Sequence, residues 1–197
     1  MTALVSLGRA TLAALALTTV LGLAYPLLVT GVARVAFESQ AEGSLIRAEG
    51  HVVGSRLAAQ SFTAPRYFLP RPSATTPPYN AAGTTFANLG PTSPELAQQI
   101  ALRARTILKR ERPYNPGLTI GAIPVDAVTA SASGIDPDIS PLYAALQAKR
   151  VAAVRHLPLA RVQKLIGSET QGRSLGFFGE PGVNVLELNL ALDRARR

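Results

Sequence analysis

Apolar positions are distributed very unevenly along this chain. Between Arg9 and Arg34 lie 24 residues, 10–33, without one charged side chain, and seven of them are leucine and three valine. A helix of that length spans about 36 Å at roughly 1.5 Å per residue, enough to cross a hydrocarbon core of about 30 Å with some tilt. On an insertion scale the Leu and Val residues alone favour the membrane by about 3–6 kcal/mol. The apolar region of a cleaved secretory signal runs to roughly 7–15 residues, so this longer run predicts a retained anchor. Pro26 lies inside it, removes a backbone donor and predicts a kink. Gly22, Ala24 and Gly31 offer small surfaces against which a second helix can pack.

Beyond the anchor the pattern changes repeatedly. Val52, Val53 and Leu57, set among Gly43, Gly50 and Gly54, predict a short strand. From Phe62 to Pro94 prolines erase both the helical and the strand period, so a long irregular loop is expected. Phe62, Tyr67, Phe68, Tyr79 and Phe86 give it more aromatic content than a disordered tract carries, which predicts an ordered loop that packs its own rings. Ser93, Pro94 and Glu95 then signal a helix start, with Leu96, Ile100, Ile107 and Leu108 as its apolar stripe and Pro113 as its stop. The segment IPVDAVTASASG reads as a short apolar element running into a turn.

Ser140 with Pro141 starts a second helix through about Arg155, with Leu142, Leu146, Ala153 and Val154 as buried candidates. A third short helix is expected over residues 158–166. In VNVLELNLALD, Leu186, Leu188, Leu190 and Leu192 alternate with other residues, which predicts a terminal strand. The expected fold class is therefore α+β: one transmembrane helix, then a small soluble domain with a short β-sheet, two or three helices and a long Pro-rich loop. Residues 1–36 form the cytoplasmic N-terminus and anchor, and residues 37–197 form the domain.

Composition narrows the function. The 197 residues contain no cysteine, which excludes disulfides and thiolate metal sites. Net charge is +8, but only Arg103, Arg105, Lys109, Arg110 and Arg112 cluster, and no aromatic ladder accompanies them. A solvated basic helix face is expected, with no nucleic-acid partner. His51 and His156 stand far apart and read as surface residues. No GxxxxGK[ST] loop, DKTG or GxSxG motif is present, so an autonomous enzyme is not expected. Asp136 and Asp138 could attract cations by charge, but turn formation and capping ahead of Ser140 explain both. Arg9 precedes the span, whereas Arg34 is soon followed by Glu38 and Glu42. That asymmetry keeps the N-terminus in the cytoplasm and places the domain outside. Gln60, Phe62, Tyr67, Phe68, Arg71 and Asn80 sit in or beside the irregular loop and are candidate partner-binding residues. The residues alone favour an assembly role, with a membrane-anchored ligand-binding or sensor domain and a cytoplasmic ATP-binding regulator as its rivals.

A resemblance favours the first. GSRLAAQSFTAPRYFLPRPSA (residues 54–74), PYN (78–80), NLGP (88–91), IPVDAVTASASGIDPDISP (123–141), QAKRVAAVR (147–155) and GEPGVNVLELNLALD (179–193), together with YPLL (25–28) in the anchor, resemble the C subunit of the bacterial Kdp potassium-transporting ATPase. The departures are local, at Ala58 and Ala59 and over residues 84–88. The resemblance implies a non-catalytic accessory subunit of the inner membrane. Its implied partners are a channel-like potassium-binding subunit and a P-type ATP-hydrolysing subunit. It would hold no cofactor of its own, with ATP and potassium handled by the complex. The family role also includes raising the ATP affinity of the hydrolysing subunit, with Gln147 at the position proposed for nucleotide contact. A domain outside the membrane cannot touch cytoplasmic ATP, so such an effect would have to pass through the pump as coupling between sites.

Overall fold

The computed structural model describes residues 2–195, which divide after Val52 into two compact units. The first unit is led by helix α1 (Thr2–Thr19), a π-helical turn (Val20–Ala24) and helix α2 (Tyr25–Ala36). The stretch Ala3–Ala36 is long and apolar enough to cross a membrane. The sequence explains the π turn. A proline ring collides with the carbonyl four residues earlier, here that of Gly22, and one turn of wider helix just before Pro26 relieves the collision. The Tyr25 N–H accordingly reaches back to the Val20 carbonyl. Thr11 and Thr19 donate to the carbonyls of Leu7 and Leu15, each at 2.9 Å, so neither hydroxyl requires water. A single turn, α3 (Glu38–Ala41), and strand β1 (Leu45–Ala48) follow.

Strand β2 (His51–Ser55) pairs with β1 in a two-stranded sheet, where Val52 and Val53 predicted a strand. No helix or strand occurs between Ser55 and Pro94, as the prolines implied. Helix α4 (Pro94–Glu111) begins as expected, with Ser93 Oγ accepting from the Leu96 N–H and Pro94 in the first turn. A 3-10 turn (Ile120–Ala122) and the one-turn helix α5 (Val125–Val128) lead to strand β3 (Asp138–Ile139) and then helix α6 (Pro141–Arg155). Ser140 caps α6 by accepting from Tyr143 N–H at 3.0 Å, and His156 closes the helix in the left-handed region. Helix α7 (Leu159–Ser168), strands β4 (Thr170–Gln171) and β5 (Gly182–Asn184), and helix α8 (Val185–Arg194) complete the chain. The second sheet has the order β3-β5-β4, antiparallel throughout, with Ile139 and Thr170 both opposite Val183. Its core joins Phe68 of the loop to Val151 of α6, Val162 of α7 and Leu188 and Leu192 of α8.

Two expectations need correction. The leucine run is a helix, not a strand, and only Gly182–Asn184 before it is extended. Leu188 and Leu192 lie four residues apart on one helical face and are both fully buried. The signal that separates the two readings is the cap: Asn184 Oδ1 accepts from the Glu187 N–H, and N-x-x-E before an apolar run is a helix start. In α6 the buried face was also misplaced. Leu142 is 71% exposed and Ala153 is exposed, whereas Gln147, Arg150 and Val151 are buried with Leu146. A helix whose inner face carries Gln and Arg defeats an apolar stripe count.

Candidate functional site

The irregular loop is built around a polar clamp in the interior. Arg150, on α6, is 1% exposed, and its Nε donates to Glu111 Oε1 of α4 at 2.9 Å and to Oε2 at 3.2 Å. Its Nη1 donates to the carbonyls of Pro65 and, at 3.0 Å, Tyr67, while Nη2 donates to Gln147 Oε1 at 2.8 Å. Gln147 lies one helical turn before Arg150 and holds both sides of one backbone residue. Its Oε1 accepts from the Leu69 N–H at 2.9 Å and its Nε2 donates to the Leu69 carbonyl at 3.1 Å. Asn189 of α8 repeats the device one residue earlier, accepting from the Phe68 N–H at 2.8 Å and donating to its carbonyl at 3.0 Å. A buried backbone segment normally satisfies these groups through a neighbouring strand. Here two carboxamides and a guanidinium take the strand's place, and Phe68 is driven fully into the core between them.

The same loop is tied further along. Tyr67 OH donates to Asp193 at 3.0 Å, Arg155 bonds the same carboxylate at 2.8 Å, and the Arg155 guanidinium lies 4.9 Å from the Tyr67 ring centre. Phe62 tilts against Tyr67 with ring centres 5.4 Å apart. Ser73 donates to the Gly134 carbonyl at 2.6 Å and accepts from the N–H groups of Thr75 and Tyr79. Gly134 sits at φ +72°, and a Cβ there would lie 2.7 Å from Thr75 Cγ2, so the close approach needs glycine.

The candidate residues therefore occupy distinct surroundings. Gln147 is fully buried, with its amide taken up by Leu69 and Arg150. Phe68 is core. Phe62 and Tyr67 are half-buried parts of the loop's own aromatic packing. Arg71 pairs with Asp136 at 2.8 Å. Asn80 Oδ1 accepts from the Ala82 N–H and forms a local turn. The Gln60 amide, turned so that nitrogen faces oxygen, donates to the Val53 carbonyl and accepts from the Ser55 N–H, and it lies so close over Gly54 that no Cβ would fit. Glu111, Arg150 and Asn189 were not singled out from the sequence. The spacing of Gln147 and Arg150 on one face of an otherwise Ala- and Val-rich helix was the available signal.

Charged groups elsewhere are largely satisfied inside the fold. Asp136 Oδ1 accepts from the Asp138 N–H, the expected turn, but the carboxylate that reaches Ser140 belongs to Asp126, at 2.7 and 2.9 Å. Asp126, Asp136 and Asp138 line an open cleft of about 710 Å³ with Arg71. Burial and the neighbouring Asp136 hold the Asp138 carboxyl above the usual range. Of the basic cluster, Arg105 and Lys109 are solvated as expected. Arg103 and Arg112 donate to the carbonyls of Val128 and Leu118, and Arg110 pairs with Glu111. Both histidines are exposed. Among the described residues no group of three or more His, Asp or Glu side chains is placed to hold a metal ion.

The sequence model of the family described as K+-transporting ATPase, c chain, matches residues 7–194. The chain belongs to the KdpC family. Relatives named potassium-transporting ATPase KdpC subunit include one from Methylobacterium nodulans, 51% identical over 190 residues, covering 90% of this chain and 91% of the relative. Another, from Beijerinckia indica, is 49% identical over 176 residues, covering 89% and 87%. A third, from Variovorax paradoxus, is 53% identical over 173 residues, covering 87% of each. Membership of this family makes the chain a membrane-associated ATPase subunit with an apolar N-terminal helix.

Proposed function

We propose that the chain is the non-catalytic c chain of an ATP-driven potassium pump of the bacterial inner membrane, needed to assemble its channel-like and ATP-hydrolysing subunits. One observation carries this reading: the family match runs from residue 7 to residue 194 and so includes both the apolar helix and the folded body. The helix packs among partner helices through Gly22, Ala24 and Gly31, and its π turn keeps it continuous past Pro26. The N-terminus lies in the cytoplasm and the body outside, as the Arg9 and Glu38/Glu42 asymmetry favours. Gln60, Arg71 and Asn80, half-buried in the loop, shape the surface that meets a partner.

Any rise in ATP affinity reaches the hydrolysing subunit through the pump. Gln147, enclosed by Leu69 and Arg150, serves this indirectly by fixing the loop. By linkage, an effect on ATP binding requires ATP to tighten the chain's own association by the same factor. Two measurements test the proposal. The tagged full chain, solubilised in detergent, should bring down both partner subunits. A Ser168→Cys variant in intact cells should react with a membrane-impermeant thiol reagent, since Ser168 is exposed. Purification of the chain alone, or protection of that cysteine from outside, overturns it.

A further inference from the structure

Between β4 and β5 the chain leaves the body as a hairpin arm, residues 172–181, and every residue of the arm is exposed. The arm is nonetheless well defined. Ser174 and Phe178 exchange both backbone hydrogen bonds at 2.9 Å, and the Gly176 and Phe177 N–H groups close onto the carbonyls of Arg173 and Ser174. Arg173 Nη2 bonds both oxygens of Glu180 at 2.9 and 2.8 Å and clasps the neck. Leu175 is held at φ +54°, a region that branched and bulky side chains avoid, and Gly176 follows at φ +82°. This shape raises Leu175 (83% exposed), Phe177 (64%) and Phe178 (58%) into solvent, with the two rings 4.1 Å apart as one knob.

Three large apolar side chains on a rigid neck form a concentrated patch, unlike the scattered exposed leucines that any surface carries. Charge decides what the patch fits. Arg173 and Glu180 neutralise one another, and the arm has no other charged residue and no Trp or Tyr. A loop that seats in a lipid surface draws on spare Lys or Arg for anionic headgroups, and this arm has none to spare. An uncharged, preorganised aromatic knob is the anchor of a protein interface, where it fills an apolar cleft and little ordering entropy remains to be lost. We propose that this arm is a docking finger, and that Leu175, Phe177 and Phe178 fill an apolar cleft on a neighbouring protein subunit. The proposal rests on the reading above that the chain works inside a larger complex.

The test uses the full chain in membranes that contain the whole complex. With Phe177→p-benzoylphenylalanine, illumination should produce a covalent product with another protein subunit. Labelling of lipid alone, of a second copy of this chain alone, or of nothing overturns the finger. Independently, Leu175→Ser/Phe177→Ser/Phe178→Ser should melt at the wild-type temperature yet lower the apparent affinity for the complex by about 30-fold or more, the scale of a central aromatic anchor. Should the triple variant co-purify as well as wild type, the finger is wrong while the subunit reading stands. If the wild-type chain itself fails to co-purify, the subunit reading fails first. The Arg173→Ala/Glu180→Ala variant, which loosens the neck but keeps the knob, should lose about 3–10-fold, and an unchanged affinity would count against preorganisation.

Discussion

Two irregular segments of the second unit invert each other. Residues 65–69 bury backbone polar groups against the side chains of Arg150, Gln147 and Asn189, and only Phe68 enters the core. The arm 172–181 closes its turn with its own backbone hydrogen bonds and turns its apolar side chains to water. Both are Gly- or Pro-marked loops by sequence. What separates them is where the conformational energy is spent: the first loop is stable only because distant helices reach in to hold it, the second because its own turns and ion pair fix it. The first therefore belongs to folding, and the second to association.

Substitutions can break that contrast at its stronger end first. Arg150→Met removes one partner of a buried ion pair and leaves Glu111 charged at 1% exposure, although Arg110 remains beside it. It should cost about 3–5 kcal/mol, read by chemical denaturation of the full chain, with protease cleavage appearing near residues 65–69. Next, Gln147→Leu and Asn189→Leu each strip one N–H and one carbonyl of their partners, for about 2–4 kcal/mol apiece. Because Leu69 and Phe68 are adjacent, the double variant should depart from additivity by more than about 0.5 kcal/mol. A loss below about 0.5 kcal/mol in either single variant would show that the clamp is not needed. By contrast, the triple serine variant of the arm should change stability by less than about 0.5 kcal/mol, since nothing buried is touched.

Two pH responses sharpen the picture at the weaker end. Burial, with Tyr143 adding to it, pushes the Tyr79 phenol up to about 12. A pKa raised above the unfolded value of 10 gives stability that is complete below pH 10 and is lost as pH climbs toward 12. Ultraviolet titration should show Tyr79 ionising late, and Tyr79→Phe should flatten that alkaline loss. Asp138 is the smaller case. Its raised carboxyl means that the folded state binds the proton more tightly, so ionisation costs stability as pH rises above the usual carboxylate range. Asp138→Asn should raise the melting temperature at neutral pH by an amount worth less than about 1 kcal/mol once solvent screening is counted, and that gain should vanish below about pH 4.

Much of this was legible without coordinates. The apolar span, the caps at Ser93 and Ser140, the β2 valines and the absence of regular structure before Pro94 all follow from local chemistry that acts within a few residues. The terminal helix was misread because Leu186, Leu188, Leu190 and Leu192 fit a period of two, while the deciding Asn184 to Glu187 cap lay just upstream. The clamp was missed for another reason. Gln147 meets Leu69 across 78 residues and Asn189 meets Phe68 across 121, and no pattern within one window encodes such a pairing.

By itself the sequence determined where the chain turns oily enough for a bilayer, where helices start, and which family the chain resembles, because those properties sum over neighbouring residues. Only the tertiary structure decided that a glutamine, an arginine and an asparagine lie inside while a leucine and two phenylalanines lie outside. A buried polar side chain is tolerable only when its partners are in place, and an exposed apolar one persists only on a backbone that cannot fold it away.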